Sequence, residues 1–254
     1  MVVDEAKLGH LAGLAMAQGM YPYTFGIVGD GIHGDQGKSL GTGIGVQWGS
    51  TSLILTAAHT LETTPYDRMY FFLPMGSLEF VESAASADPS RTKLQYRNEL
   101  VSPKVVLDET GEDIAAVLLP TQSHETIRDH FYPLVENQVL PAVVSEVGYL
   151  GYPGVRALPY GKNYMVSPYH DFGNVAVGGT NHNTRKEILI EYRPAEIDPH
   201  GLSGSGVWYS QSAGAVWAPR VALAGLLTQY DSSERMLIAY RVEALVEFLK
   251  VHRF

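Results

Sequence analysis

The chain has no cysteine among its 254 residues. Disulfide frameworks, thiol nucleophiles, iron–sulfur clusters and cysteine-based zinc sites are therefore excluded. Charge is sparse, at 18% of residues, and basic charge sparser still: 18 Lys and Arg against 27 Asp and Glu leave a net charge of −9. That balance argues against nucleic acid or an anionic membrane surface as a partner. No apolar run approaches the ~20 residues that span a bilayer. An apolar share of 45% is too high for a disordered chain. At ~150 residues per domain the length predicts one domain or two tightly joined halves. A chain of this size can build a core without covalent staples.

What is present reads as a β protein with a helix at each end. Leu8, Leu11, Leu14 and Ala15 recur at helical spacing, which predicts a short amphipathic helix over 8–18. Ala15-Met16-Ala17 imitates a signal-peptidase site. However, Asp4 and Glu5 stand where a basic region belongs, and His10 and Gly13 interrupt the apolar stretch. Without an export signal or cysteines, the expected compartment is the reducing cytoplasm. From residue 23 onward, short runs rich in Val, Ile, Leu, Thr and Tyr alternate with Gly, Pro, Asn and Asp. They predict strands over 43–48, 53–57, 69–72, 101–106, 114–118, 146–149, 163–166, 188–192, 206–208 and 221–227. A connecting stretch over 122–141 is expected to hold a helical turn around 124–130. Val242, Leu245, Val246 and Leu249 share one face and predict a C-terminal helix. Many short strands in two groups point to two packed barrels.

Two nucleotide motifs fail. Gly37-Lys38-Ser39 lacks the glycine a phosphate loop needs five residues before Gly37, where Ile32 stands, and a strand-like segment follows it. Gly41-Thr42-Gly43-Ile44-Gly45-Val46 lacks the last glycine of a dinucleotide fingerprint. No His-Glu-x-x-His occurs among the nine histidines, and His124 and His130 are poorly spaced for one helical face. No metal and no cofactor is expected.

Three segments carry chemistry. Leu53-Ile54-Leu55-Thr56-Ala57-Ala58-His59 ends a β run in two small residues and a histidine. Glu112-Asp113-Ile114-Ala115-Ala116-Val117-Leu118-Leu119 puts an acid at the head of an apolar strand, where it must be paired or hydrogen-bonded. Gly201-Leu202-Ser203-Gly204-Ser205-Gly206 sets a serine in a glycine-rich loop before a strand. A serine nucleophile needs a base, and the base needs an acid to orient it. The chain offers them in the order His, Asp, Ser, which differs from the order in α/β-hydrolases and in subtilisin-like enzymes.

These segments resemble trypsin-like (chymotrypsin-fold) serine peptidases, particularly the cysteine-free bacterial type. Thr56-Ala57-Ala58-His59 matches the Thr-Ala-Ala-His segment, Asp113-Ile114-Ala115 matches Asp-Ile-Ala, and residues 201–206 resemble Gly-Asp-Ser-Gly-Gly-Pro with three differences. Gly41-Thr42-Gly43 and Gly148-Tyr149-Leu150-Gly151-Tyr152-Pro153 also look like the bacterial type. The resemblance implies an all-β fold of two packed six-stranded antiparallel barrels. A helical extension would cover 1–22, a first barrel 23–135, a second barrel 136–240 and a C-terminal helix 241–254. It implies peptide-bond hydrolysis by His59, Asp113 and Ser203, with backbone N–H groups of Gly201 and Ser203 as the oxyanion hole. Substrate contacts would fall on His200, Leu202, Thr228, Gln229 and Tyr230. The partners expected are a protein or peptide substrate and a regulatory protein, with neither nucleic acid nor membrane.

The departures are also informative. Leu202 replaces the aspartate that pairs with a newly cut N-terminus, so that switch is missing. Thr228 stands where the family's serine supports the aspartate. Tyr230 stands where a glycine keeps the specificity pocket open. Ile197, rather than Asp198, holds the position of the acid that selects Arg or Lys. The expected pocket is uncharged and shallow. The same fold also serves as an inactive binding scaffold, and the same triad can serve an esterase.

Overall fold

The computed structural model describes residues 5–29, 38–62, 69–72, 99–100, 104–107, 111–118, 127–154, 157–160, 163–166, 168–176, 183, 185–192, 197–211 and 220–254. The first half supplies β1 (Thr24–Gly29), β2 (Lys38–Trp48), β3 (Thr51–Thr56), β4 (Met69–Phe72), β5 (Glu99–Leu100), β6 (Lys104–Leu107), β7 (Ala115–Leu118) and β8 (Tyr132–Leu134). They form one sheet in the order β5-β4-β1-β2-β3-β7-β6. The second half supplies β9 (Glu146–Gly151), β10 (Ala157–Tyr160), β11 (Asn163–Val166), β12 (Tyr169–Asn174), β13 (Glu187–Glu191), β14 (Gly206–Gln211), β15 (Arg220–Asp231) and β16 (Met236–Arg241). Six of these run β12-β9-β14-β15-β16-β13, and a bridge from Val175 to Ile190 joins the two edges, closing a barrel. The β10–β11 hairpin stands apart. The first sheet is less regular than a six-stranded antiparallel barrel, because β8 joins it by pairing parallel to β2.

Alternation explains why the strands read as nearly continuous apolar runs. Side chains on a strand point to opposite faces in turn. Leu53 and Leu55 of β3 enter the large core shared by both sheets, whereas Ile54 between them enters a smaller core inside the first sheet. On β7, Ala116 faces the shared core, and Ala115 and Val117 face the smaller one. Both faces are covered, so apolar residues fall at consecutive positions. Val147, Leu150, Val207, Trp208 and Leu226 complete the shared core from the second sheet.

Helix α1 (Glu5–Met20) buries Met16, Ala17 and Met20 in that shared core and lies against β9, β14 and β15. The N-terminal extension is therefore docked on the second sheet. The second helix, α2 (His59–Glu62), is a single turn. The third, α3 (Val242–Val251), buries Val242, Leu245, Val246 and Leu249 as their spacing predicts. In the connecting stretch, the described residues hold a tight turn at Arg128–His130 followed by strand β8, and His124 lies outside them. Residues 101–103 of an expected strand, and the rejected phosphate-loop glycines at 31, 34 and 37, also lie outside them. Among the described residues, no helix is long and apolar enough to cross a membrane.

Candidate active site

β3 and β7 are antiparallel neighbours with Thr56 opposite Ala115. The two residues beyond the end of β3 and before the start of β7 therefore meet at one end of this strand pair. There the Ala58 N–H donates to the Asp113 carbonyl at 3.4 Å. The Asp113 carboxylate takes His59 with both oxygens: the His59 backbone N–H reaches Oδ1 at 2.9 Å and the ring Nδ1 reaches Oδ2 at 2.6 Å. A bidentate grip of this kind sets the aspartate rotamer. It also places the imidazole proton on Nδ1, leaving Nε2 as the free base. The hydrogen bond to Asp113 is the main cause of a His59 pKa raised above 6.5, partly opposed by burial. A raised histidine pKa stabilises the fold at pH below the unfolded value, and that contribution is lost as pH rises through the folded value. With side chains 48% and 32% exposed, water screens most of it.

Ser203 lies in a loop whose peptide groups are tethered almost one by one. The Leu202 N–H donates to Pro199 O at 2.9 Å, Gly204 N–H to Leu227 O at 2.7 Å and Ser205 N–H to Leu202 O at 2.9 Å. Among the described residues the N–H groups of Gly201 and Ser203 donate to no protein acceptor. Their directions are nonetheless set. The His200 carbonyl accepts from Gly154 N–H at 2.8 Å, and in a planar trans peptide the Gly201 N–H must point the opposite way. Gly201 has a φ of +94°, which a side chain would resist.

The two halves of the site meet over β2. A Cβ placed on Gly41 would lie 2.5 Å from Thr60 of the histidine turn and 2.9 Å from the Ser203 carbonyl. Only glycine lets both approach this strand so closely. The Ser203 hydroxyl donates to the Thr228 carbonyl at 3.5 Å, the outer limit of a hydrogen bond. Among the described residues no hydrogen bond joins Ser203 to His59.

The other sequence-derived residues divide. Leu202 is fully buried in the shared core, so it packs the loop from beneath and has no surface for substrate. This corrects its expected role: an apolar side chain gains more from the core than from water. Thr228 is also buried, and its hydroxyl donates to Ile238 O at 3.5 Å rather than to Asp113. The second half of the chain instead reaches the residues around the aspartate. Lys186 pairs with the neighbouring Glu112, and the Tyr240 hydroxyl faces the Asp113 backbone. Gln229 and His200 are exposed, and the His200 ring lies 3.1 Å from Asp198. The His200 backbone N–H is the main cause of a lowered Asp198 pKa.

Sequence reading missed Tyr192. It is buried, donates its hydroxyl to Ile197 O at 2.8 Å and meets Tyr230 edge-on at 5.4 Å. One ring thus touches both the 197–203 segment and the 228–230 segment. Nothing in its local sequence, the end of an ordinary strand, marks it.

A scan against protein-family models finds no match, and a search of curated proteins finds none. Among solved structures, human heparin binding protein is similar over 92% of both chains, with 11% identity and a TM-score of 0.59. An atomic-resolution structure of HBP is similar over the same shares, with 11% identity and a TM-score of 0.56. Likeness at this identity concerns the fold, and the fold is the chymotrypsin fold.

Proposed function

We propose that this chain is a serine endopeptidase acting through His59, Asp113 and Ser203. Ser203 Oγ attacks the scissile carbonyl carbon while its proton passes to His59 Nε2. The N–H groups of Gly201 and Ser203 hold the oxyanion. His59 then protonates the leaving amine, and water releases the acyl group by the same route. The observation that carries this reading is the grip of Asp113 on the His59 backbone N–H and ring Nδ1, beside a serine loop with two N–H donors that are unspent among the described residues. The test is labelling by a fluorophosphonate, with the adduct located by peptide mapping. A single adduct on Ser203 is expected, and an unlabelled folded protein sinks the reading. Peptide against simple ester substrates separates a peptidase from an esterase on the same triad. The segments matched to the family favour the bacterial type and protein or peptide substrates, and the lack of cysteine favours a cytoplasmic site of action.

One observation favours an inactive scaffold instead: the Ser203 hydroxyl is turned to Thr228 rather than to His59. Catalytic hydrogen bonds are often loose without substrate, and one side-chain rotation would re-aim this hydroxyl. Heparin, the ligand in the name of one similar structure, is a polyanion and suits a chain of net charge −9 poorly.

Activity is expected to rise with pH along one limb, because His59 must be neutral to accept the Ser203 proton. The midpoint should lie above 6.5, in line with the raised His59 pKa. A kcat/KM profile with its midpoint below 6 contradicts this pairing.

By its match to the family, Tyr230 stands at the specificity pocket, and Tyr192 meets its ring edge-on at 5.4 Å, so small side chains next to the cut are expected. Tyr230→Gly should raise kcat/KM for a large aromatic residue there by about tenfold. Unchanged preference in a panel of peptides varied at that position would count against it.

A further inference from the structure

We infer that Thr42 is a positioning residue for the oxyanion loop. This rests on the peptidase reading but is argued from Thr42 alone. Thr42 lies on β2 of the first sheet and is fully buried. Every polar group it has is engaged at the site. Its N–H donates to Ser203 O at 2.8 Å. Its hydroxyl donates to Gly201 O at 2.8 Å and accepts from Tyr152 N–H at 2.9 Å. Its carbonyl accepts from the Thr56 hydroxyl at 2.6 Å, and Thr56 is the last residue of the strand that leads to His59.

The consequence is geometric. Thr42 clamps the 201–202 peptide through Gly201 O and the 203–204 peptide through Ser203 O. Between them lies the 202–203 peptide, which carries the Ser203 N–H. With planar peptides held on both sides, the torsions of Leu202 and Ser203 have little freedom. Together with the Ser205 N–H, which bonds Leu202 O at 2.9 Å, Thr42 thus sets the direction of that N–H and the position of the serine Cα without touching substrate. Through Thr56 the same residue refers the serine loop to the histidine strand. Its hydroxyl thus joins the buried Tyr152 N–H to the Gly201 carbonyl, and losing it removes both of these bonds at once.

The experiment compares two pairs that differ mainly in the hydroxyl: wild type with Thr42→Val, and Thr42→Ser with Thr42→Ala. The expected loss in kcat for each hydroxyl-free member is about 10²-fold, the scale of an ångström-level misplacement. KM should change by less than about threefold, because the hydroxyl supports the transition state rather than ground-state binding. Affinity for a peptide boronate should fall in parallel with kcat/KM. Thr42→Ser should retain activity within about threefold of wild type, so a folding defect in Thr42→Val leaves the Ser/Ala pair decisive.

Hydrogen exchange across residues 199–206 supplies a readout that needs no activity. Faster exchange confined to that loop in Thr42→Ala, but not Thr42→Ser, supports the inference even if wild type proves unlabelled and the peptidase reading fails. Equal exchange in the two variants, or an effect on KM alone, overturns it.

Discussion

Ser203→Ala is expected to abolish fluorophosphonate labelling and to lower kcat by about 10⁶-fold, the loss seen when a triad member that acts as part of a unit is removed. The fold should survive unchanged. The hydroxyl makes one hydrogen bond at the outer distance limit, to Thr228 O at 3.5 Å, so its removal should shift stability by no more than about 0.5 kcal/mol. The loop is held by backbone bonds from Thr42, Leu227 and Pro199, none of which involves the serine side chain. Peptide hydrolysis and thermal melting on the same preparation separate the two effects. Residual activity within tenfold of wild type, at an unchanged melting temperature, would place the nucleophile elsewhere.

Asp113→Asn is expected to cost about 10⁴-fold in kcat while leaving substrate binding nearly intact. The reason is the tautomer. Asp113 accepts from Nδ1–H at 2.6 Å and so leaves Nε2 unprotonated. An asparagine amide offered to Nδ1 favours the opposite tautomer, with the proton on Nε2, where it cannot act as a base. The same change removes the largest cause of the raised His59 pKa. The acid limb of the remaining activity should therefore move to lower pH. A pH profile of kcat/KM reads both results. A variant with near-normal kcat, or with its acid limb moved upward, contradicts the role assigned to Asp113.

The three chemical segments were legible in the chain because each combines a local pattern with a residue type that needs explaining. A histidine after Thr-Ala-Ala, an aspartate heading an apolar strand and a serine between glycines stand out without any tertiary information. Strand positions were legible too, as at 69–72 and 163–166, since the turn residues that bound them act locally. Leu202 was placed wrongly. Its neighbours Gly201 and Ser203 face the site, and nothing in the sequence says that the residue between them turns into the core. Thr228 was expected to support Asp113, but the register of β15 against β16 sends its hydroxyl to Ile238. Lys186 is 74 positions from Glu112, and that pairing has no local signature.

By itself, the sequence determined the residue types available for chemistry, the absence of thiol and disulfide chemistry, the strand texture and the amphipathic C-terminal helix. These follow from composition, side-chain periodicity and turn preferences, which operate over a few residues. The tertiary structure decided which groups meet. Antiparallel pairing of β3 with β7 brings His59 to Asp113, and the approach of both sheets over Gly41 and Thr42 brings the serine loop to the histidine turn. It also decided that Tyr192 and Tyr230 share one space and that Thr42 is spent on the serine loop. Such contacts join residues as far as 159 positions apart, and only the closing of two sheets around one core sets their distances.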